Sequence, residues 1–438
     1  MTSARARGDH NVAALHEAIA AAAPERDCIV AGGITRTWAE VTDRTRRLAA
    51  VLAGAGLGVH GDPTAVAGWQ SPHDHVALYL HNGHEYLEGM LGAWKARCAP
   101  VNVNYRYVAA ELAYVLRDSG ARAVIFHDAF AATLAEVLRD LPGPPPLLLQ
   151  VPDATAAPLL PGAARYEEAL AAADPVAPTG LTPDDRYILY TGGTTGAPKG
   201  TLWRQGDFLA TCLGVDGSQD DLVAAARARA GLRIVDVLGS SESGRQAVAG
   251  ADAAFRPEPG TAVLSEDRSR LLAPGDHEVG WLAQAGRVPL GYLGDPAKSA
   301  ATFPVLDDVR YAVAGDRVRL RADGRLDLLG RDSVTINTGG EKVFAEEVEQ
   351  VLTAHPAVAD AVVAGRPSER WGQEIVAVLS ARPGVDRPGD EALRDHCRRS
   401  LAGYKVPKAF RWVDAVVRSP AGKPDYPWAQ KIAAGTDN

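Results

Sequence analysis

"YILYTGGTTGAPKG", residues 187–200, joins a short apolar run to a loop of glycines, threonines and one lysine. The apolar residues predict a buried strand, and the loop begins directly after it. Glycines and small hydroxyl residues let a backbone turn tightly and aim successive N–H groups at one anion, and Lys199 adds a positive charge. The stretch predicts a phosphate-binding loop at a strand end, and a flexible linker is the alternative.

This loop is not the common P-loop. The pattern GxxxxGK[ST] requires a glycine directly before the lysine and a serine or threonine after it. Here Pro198 precedes Lys199 and Gly200 follows it. The phosphate chemistry therefore belongs to another type of nucleotide site.

Length and composition limit the class of protein. The chain has 438 residues, of which 46% are apolar, and this predicts two to three globular domains with sizeable cores. Its net charge of −8 supplies no basic stripe to follow a nucleic-acid backbone. No apolar run is long enough to span a bilayer, and no signal-peptide core follows the N-terminus. A cytoplasmic protein without a nucleic-acid partner is expected.

The four cysteines do not predict a disulfide framework or a zinc site. They are far apart in the sequence, form no CxxC pair and have no nearby histidines. We expect reduced thiols, at positions Cys28, Cys98, Cys212 and Cys397.

Periodicity divides the chain into regions. Helical and strand-like segments alternate over the first 140 residues, which indicates α/β architecture with a mainly parallel sheet. Residues 141–163, rich in proline and alanine, are typical of irregular surface chain. Short strands and turns occupy about 261–329, and from residue 334 helix and strand alternate again in what is predicted to be a small separate domain.

Five motifs in order resemble those of the adenylate-forming (AMP-binding) superfamily. They are "YTGGTTGAPKG" (190–200), "GSSESG" (239–244), "GYLGDPAKSAATF" (291–303), "GDRVRLRADGRLDLLGRDSVTINTGGEKVFAEEVE" (315–349) and "SPAGKPDY" (419–426). The details are most similar to the acyl-CoA synthetase, or fatty-acid–CoA ligase, branch. The resemblance covers nearly the full length.

The resemblance implies a fold and a domain division. It implies an α/β fold with a large N-terminal adenylation domain of α/β sheets plus a small β-barrel region, over residues 1–332. A small mobile α+β domain follows over residues 333–438. The reaction implied is ATP- and Mg²⁺-dependent adenylation of a hydrophobic carboxylic acid, of fatty or steroid-side-chain type, followed by transfer to coenzyme A. A homodimer is one expected assembly.

The resemblance also assigns residues to ATP. Lys199 and the loop are expected to hold the β- and γ-phosphates, Glu242 to hold Mg²⁺ and Asp316 to bind the ribose hydroxyls. Arg331 is expected to contact the ribose or a phosphate. Without the motif, Glu242 would be a surface residue and Asp316 a turn residue. The remaining residues expected at the nucleotide are Thr191, Gly192, Gly193, Thr194, Thr195, Gly196 and Ser241.

The C-terminal motifs are assigned to the two half-reactions. Lys423, which by itself would be a solubility residue, is expected to swing in and contact the attacking carboxylate and the α-phosphate. The domain is expected to rotate about Ser333. The pantetheine channel is expected beside the residues Gly339, Gly340, Glu341 and Lys342.

The spacing of the motifs departs from the family. Lys199 and Glu242 are only 43 residues apart by subtraction, and a single βα unit already takes about 30 residues. The family places several units here, so the chain is expected to be shortened between about 209 and 232. Two hypotheses stay open: a working ligase with a reduced acid pocket, and an impaired nucleotide-binding paralogue.

Overall fold

The structure is a computed structural model. It describes residues 10–191, 198–214, 237–249, 254–339, 341–418 and 422–435. All structural statements concern these ranges.

Helices and strands alternate through the first half of the chain. α2 begins at a capping box, in which Thr37 accepts from the Glu40 N–H and the Glu40 carboxylate accepts from the Thr37 N–H. In order, the elements are α1 (Val12–Ala22), β1 (Asp27–Ala31), β2 (Ile34–Thr37), α2 (Trp38–Gly54), β3 (His75–Tyr79), α3 (His84–Lys95), β4 (Ala99–Asn102), α4 (Ala109–Ser119), β5 (Ala123–His127), α5 (Ala131–Leu138), β6 (Leu147–Val151), β7 (Ala163–Arg165), α6 (Tyr166–Ala172), β8 (Arg186–Thr191), β9 (Lys199–Arg204) and α7 (Gln205–Cys212).

A second group of elements is richer in short strands. These are β10 (Val237–Ser240), β11 (Gly244–Ala249), β12 (Phe255–Pro257), β13 (Thr261–Leu264), β14 (Val279–Ala285), β15 (Gly291–Tyr292), α8 (Pro296–Thr302), β16 (Val305–Leu306), β17 (Val309–Ala312), β18 (Asp316–Leu320) and β19 (Leu326–Arg331).

The largest parallel sheet has the strand order β15-β9-β8-β4-β3-β5-β6-β7. Its strands from β8 to β7 pair in parallel, while β9 and β15 run antiparallel at one edge. Apolar side chains of α2, α3 and α6 form one core against it, and those of α4 and α5 form a core on the other side. Burial on both faces explains the unbroken apolar runs of β3 and β5. The predicted mainly parallel α/β sheet is confirmed.

The prediction that residues 141–163 form irregular surface chain is wrong for residues 147–151 and holds for those on either side, 141–146 and 152–162. Residues 147–151 form β6, which pairs with β5 and β7 and is almost wholly buried. The buried Gln150 donates to the Asp128 carboxylate and to the Pro158 carbonyl. The prolines on both sides end the strand without disrupting it, and composition averaged over the whole segment concealed the run "LLLQV".

The region predicted to be a β-barrel is an antiparallel sheet. Its strands follow the order β10-β11-β12-β19-β18-β14-β17-β16, and β13 pairs with β14. Within the described residues, the strands at the two ends of this order, β10 and β16, do not pair with each other. Two small apolar cores, around Leu282 and around Tyr311, stabilise this sheet.

The C-terminal region has a sheet and a core of its own. Its elements are β20 (Thr335–Thr338), β21 (Glu341–Phe344), α9 (Ala345–Thr353), β22 (Val358–Ser368), β23 (Gly372–Ala381), α10 (Asp390–Arg398), β24 (Ala409–Val413) and α11 (Tyr426–Ala434). The strand order is β21-β20-β23-β22, with β24 parallel to β23. Its largest apolar cluster contains residues from 334 to 433 alone.

Among the described residues, no helix combines the length and the apolar character needed to cross a membrane.

Candidate functional site

Lys199 is the first residue of β9 and lies opposite Thr191, the last residue of β8. The two ends of the predicted phosphate loop are therefore held together by a backbone ladder. Asn102 reinforces the end of β8, since its amide donates to the Tyr190 carbonyl and its oxygen accepts from the Tyr190 N–H. The loop residues Gly192, Gly193, Thr194, Thr195 and Gly196 lie outside the described residues.

The Lys199 ammonium has two contacts from one neighbouring segment. It donates to the Asp295 carboxylate at 2.9 Å and lies 5.5 Å from the centre of the Tyr292 ring. Both side chains of this ion pair are well exposed, so screening by water makes it weak. An incoming anion can therefore compete for Lys199 at small cost. Asp295 also caps α8 by accepting from the Lys298 N–H.

Glu242 lies in the turn of the β10–β11 hairpin. Serine hydroxyls fix this turn: Ser241 Oγ donates to Glu242 Oε2 at 3.0 Å, and Ser240 Oγ accepts from the Glu242 N–H. The buried Trp203 indole N–H donates to the Ser241 carbonyl at 3.0 Å. These bonds hold the Glu242 carboxylate in one place beside β9.

The hairpin packs directly on α7. Gly244 has φ +64°, and a Cβ atom at this position would lie 2.3 Å from Thr211 Cγ2. Glycine is needed here both for the left-handed backbone and for the close approach. Although few residues separate Lys199 from Glu242 in the sequence, the fold thus places Glu242 beside β9.

Tyr292 joins Lys199 to Glu242. The buried ring lies under the lysine, and its hydroxyl donates to Glu242 Oε1 at 2.9 Å. Burial and the Glu242 charge both raise the pKa of Tyr292, so the phenol stays a hydrogen-bond donor. The motif "GYLGD" contained Tyr292 and Asp295, but nothing in the sequence distinguished their roles from turn packing.

Asp316 and Arg331 face each other across the β18–β19 pair. Arg331 Nε donates to Asp316 Oδ1 at 3.0 Å, and Asp316 is buried. Burial by itself lowers the pKa of Arg331, but the charges of Asp316, Glu242 and Glu346 outweigh it and raise the pKa overall. The Glu242 charge contributes to the raised pKa of both Arg331 and Tyr292, which indicates that the Asp316–Arg331 pair lies near the group formed by Lys199, Tyr292 and Glu242. We call Lys199, Glu242, Tyr292, Asp316 and Arg331 the charged cluster.

Glu346 of α9 reaches this cluster from the C-terminal region. Its Oε1 accepts from the Arg331 N–H at 3.2 Å. Gly330, with φ +125°, allows the approach, because a Cβ there would lie 2.3 Å from Glu346 Oε2. Burial first, and then the Asp316 charge, raises the pKa of Glu346. Sequence reasoning missed Glu346, since "AEEVE" is typical of an ordinary first helical turn.

The structure places the remaining predicted residues in the C-terminal region. Lys423 is exposed and directly precedes Pro424, which forms a bridge with Arg418. Gly339 packs beside the Trp371 ring, and Ser333 lies in a 3-10 turn, 332–334. Glu341 and Lys342 are in β21, and Gly340 lies outside the described residues. The roles given to these residues stay predictions.

Comparison with known proteins identifies the family. The AMP-binding enzyme profile matches residues 16–235, and the profile of the AMP-binding enzyme C-terminal domain matches residues 347–423. The medium-chain acyl-CoA ligase Mig of Mycobacterium avium is 41% identical over 96% of this chain and 98% of its own length. The chain belongs to the AMP-binding enzyme family.

Further relatives of this AMP-binding enzyme agree in sequence and in fold. The 3-oxocholest-4-en-26-oate–CoA ligase of Rhodococcus rhodochrous is 32% identical over 96% of this chain and 95% of its own. The fold is similar to that of the anthranilate CoA ligase AuaEII in complex with anthranoyl-AMP, with a TM-score of 0.80 at 17% identity. That likeness covers 98% of each chain.

The match to the Mycobacterium avium ligase also measures the missing segment. The alignment extends over 541 positions. This AMP-binding enzyme contributes 96% of its 438 residues to it, which is about 420, so about 120 positions have no counterpart in this chain. Because both chains are covered almost to their ends, the shortfall is internal. An internal shortfall is what the 43-residue spacing between Lys199 and Glu242 predicts, and its position between about 209 and 232 stays a prediction.

The donor set of the charged cluster fits ATP with Mg²⁺. Two cations, Lys199 and Arg331, are available for phosphate oxygens, and Asp316 can accept from two ribose hydroxyls. Among the described residues, no group of three His, Cys, Asp or Glu could hold a metal by itself. A single carboxylate such as Glu242 is nevertheless enough for Mg²⁺ that is also held by substrate phosphates.

Proposed function

We propose that this chain is an ATP-dependent, AMP-forming acyl-CoA ligase that acts on a hydrophobic carboxylic acid. One observation carries the proposal: Tyr292 joins Lys199 to Glu242, and Asp316 pairs with Arg331 across β18 and β19. These are the side chains that we assign to the phosphates, to Mg²⁺ and to the ribose. The names of the medium-chain and steroid-acid ligases among its relatives support the substrate class. Family membership supports the reaction type.

In the first half-reaction a carboxylate oxygen of the acid attacks the α-phosphorus of ATP. The bond from that phosphorus to the bridging oxygen breaks, and pyrophosphate leaves with its electron pair. At about 4 Å, each like-charge contact in this encounter costs roughly 4 kcal/mol at an effective dielectric constant near 20. Cations and N–H donors that are already in position must offset this repulsion.

We assign that work to the phosphate loop and Lys199. The loop includes Thr191 and residues 192–196, and Ser241 would lie beside the nucleotide. Mg²⁺ held by Glu242 would supply additional positive charge at the phosphates. Tyr292 keeps Glu242 in place, which makes it a positioning residue.

Asp316 and Arg331 are assigned to the nucleoside side of ATP. The Asp316 carboxylate accepts from the ribose hydroxyls, while its bond to Arg331 fixes the direction of both side chains. Lys423 is assigned to the transition state, where it contacts the acid carboxylate and the α-phosphate. That assignment requires the C-terminal region to bring its exposed turn to the charged cluster.

In the second half-reaction the thiol of coenzyme A attacks the acyl carbon of the acyl-adenylate. A thioester forms, AMP leaves, and the thiol proton is released. We propose that the C-terminal domain, 333–438, rotates about Ser333 relative to the N-terminal domain, 1–332. The pantetheine arm then passes the backbone of Gly339 and Gly340, near Glu341 and Lys342.

We also propose that the enzyme works in the cytoplasm and that a homodimer is its assembly. The proposal requires no nucleic-acid partner and no membrane span. These points extend the sequence-based expectations and carry no part of the mechanism.

A second candidate function is a nucleotide-binding paralogue that does not complete the cycle. About 120 positions of the relative lack a counterpart. We expect the shortening to fall between about 209 and 232, where the resemblance implies part of the acid pocket. The charged cluster would still bind ATP in such a protein. Acid turnover, and not ATP binding, therefore separates the two candidates.

The test incubates the purified chain with ATP, Mg²⁺, coenzyme A and a panel of fatty, aryl and sterol-derived acids. We expect AMP and an acyl-CoA thioester, detected by mass, for hydrophobic acids. ATP-Mg²⁺ should also raise the melting temperature in a concentration-dependent way. ATP-dependent stabilisation without thioester from any acid would favour the paralogue.

A further inference from the structure

A cavity lies beside the last residue of β9 and behind the ring pair of Tyr292 and Phe303. It has a volume of about 480 Å³, and its wall includes Arg204, the last residue of β9, together with Arg310 and Phe303. Lys199 and Arg204 are five strand residues apart, which corresponds to about 17 Å. We call this cavity the rear pocket.

Arg310 is the unusual residue of the rear pocket. Its Nη1 and Nη2 donate to the Pro289 and Leu290 carbonyls at 2.7 and 2.8 Å, and its guanidinium stacks 4.5 Å from the Phe303 ring centre. A guanidinium has five N–H donors, so three remain for another acceptor. Within the described ranges no carboxylate pairs with Arg310. Its charge is held by carbonyl dipoles and an aromatic face alone.

The electrostatics agree with that geometry. Burial lowers the pKa of Arg310 to about 10, and no nearby anion acts in the other direction. Arg204, on the same wall, is different because Asp184 and Asp207 both form ion pairs with it. Arg310 is thus a half-buried cation of the rear pocket for which the described ranges show no carboxylate partner, and Arg287 and Asp207 also line this pocket.

The rest of the rear pocket is largely apolar. Trp69, Val288 and Leu290 line it, and Phe303 forms the floor under Arg310. The volume lies within the range of about 300 to 1,000 Å³ that is usual for small-molecule sites. Such a wall suits a ligand with an apolar body and a single anionic head.

We propose that the rear pocket binds an organic carboxylate. The planar head would pair with the free N–H groups of Arg310, since guanidinium and carboxylate match as a two-pronged pair. The apolar or aromatic body would lie against Trp69 and Val288. Bare phosphate offers no apolar body, so the observations favour a carboxylate. This site is separate from adenylation and does not depend on the proposed function.

The rear pocket is one aromatic layer behind the charged cluster. Phe303 contacts Arg310 on one side and the Tyr292 ring, at 6.0 Å between centres, on the other. Ser299, which also lines the rear pocket, accepts from the Tyr292 N–H at 2.8 Å. A ligand bound there would lie behind the residue that holds Glu242.

The test is equilibrium dialysis of labelled octanoate against the full chain, without ATP or coenzyme A. We expect binding that weakens by about tenfold or more in Arg310→Gln, as loss of a charged hydrogen-bonded pair commonly does. Ala300→Phe, which adds bulk from α8 at the pocket mouth, should weaken it similarly. This variant decides the outcome if Arg310→Gln does not fold.

Two matched controls accompany these variants. Arg319→Gln removes one exposed charge from β18, and Ala297→Phe adds the same ring to α8 outside the pocket. Both should bind octanoate as the wild type does, and octanol should bind far more weakly. The proposal is overturned if wild type does not bind octanoate, if Arg310→Gln and Ala300→Phe bind it unchanged, or if octanol or inorganic phosphate binds as well. None of these results depends on ligase activity.

Discussion

Replacing Tyr292 with phenylalanine removes one hydroxyl and leaves the charged cluster otherwise intact. The ring keeps its packing against Phe303 and its position under Lys199. What is lost is the 2.9 Å hydrogen bond to Glu242 Oε1. Glu242 then keeps the contact of Ser241 Oγ to its other oxygen, and its carboxylate can rotate.

The size of the effect follows from that single bond. A hydrogen bond to a charged group contributes about 1.5 to 3 kcal/mol. If the fixed position of the Glu242 carboxylate stabilises the transition state and not the ground state, kcat/KM for adenylation should fall by about 10- to 100-fold. The Mg²⁺ concentration needed for half-maximal rate should rise, because the metal site is less well ordered.

The assay is acid-dependent exchange of pyrophosphate into ATP, with Mg²⁺ varied. Tyr311→Phe is the matched control, since this buried tyrosine belongs to a different core with Leu264 and Trp281. Thioester formation from supplied acyl-adenylate should change little in Tyr292→Phe. An unchanged exchange rate and Mg²⁺ dependence would refute the positioning role, and an equal fall of both half-reactions would indicate general structural damage.

Three further predictions concern the C-terminal region. Lys423→Ala should lower pyrophosphate exchange by about 100-fold or more while thioester formation from supplied acyl-adenylate survives; equal loss of both contradicts the role. Ser333→Pro fixes φ near −65° and removes an N–H, so the two half-reactions should change unequally, and unaltered turnover would exclude this hinge. Burial raises the pKa of Glu349 from its ordinary value of 4.5 to about 7. Between pH 4.5 and 7 the Glu349 carboxyl group is therefore protonated in the folded chain and ionised in the unfolded chain. Stability should therefore fall by roughly 3 kcal/mol as pH rises from 4.5 to 7. In urea unfolding, Glu349→Gln should lose this dependence and the exposed Glu391→Gln should keep it.

Much of the fold could be predicted because apolar periodicity reflects burial directly. The runs at β3, β4 and β5 and the helices α1 and α2 were clear in the sequence. β6 was missed because the prolines around it dominate the composition of its segment. α7 begins at Gln205, and the sequence does not mark this start because the first turn of the helix has no apolar face.

The residues of the candidate site also divide into those that the sequence predicted and those that it did not. Lys199, Glu242, Asp316 and Arg331 stood in recognisable motifs. The structure joins Lys199 to Glu242 through Tyr292 and pairs Asp316 with Arg331. Three further residues gain their importance only from contacts that are distant in sequence. Tyr292 contacts Glu242, 50 residues away, Asp295 contacts Lys199, 96 residues away, and Glu346 contacts Arg331, 15 residues away. No local pattern encodes such a contact. The roles assigned to the four motif residues stay predictions.

The contact at Gly330 has a consequence for how the two halves of the enzyme can be studied. A methyl group there would overlap Glu346 Oε2 at 2.3 Å, while the backbone at φ +125° suits glycine alone. Because Oε2 is the far end of a flexible side chain, a shift of Glu346 could relieve the overlap, but that shift would disturb its hydrogen bond with the Arg331 N–H. In an orientation that moves Glu346 away from Gly330, a Cβ atom at position 330 would no longer meet this side chain, and only the positive φ would favour glycine. Under the proposed rotation of the C-terminal domain, Gly330→Ala would therefore disfavour the present orientation relative to one in which α9 has left β19.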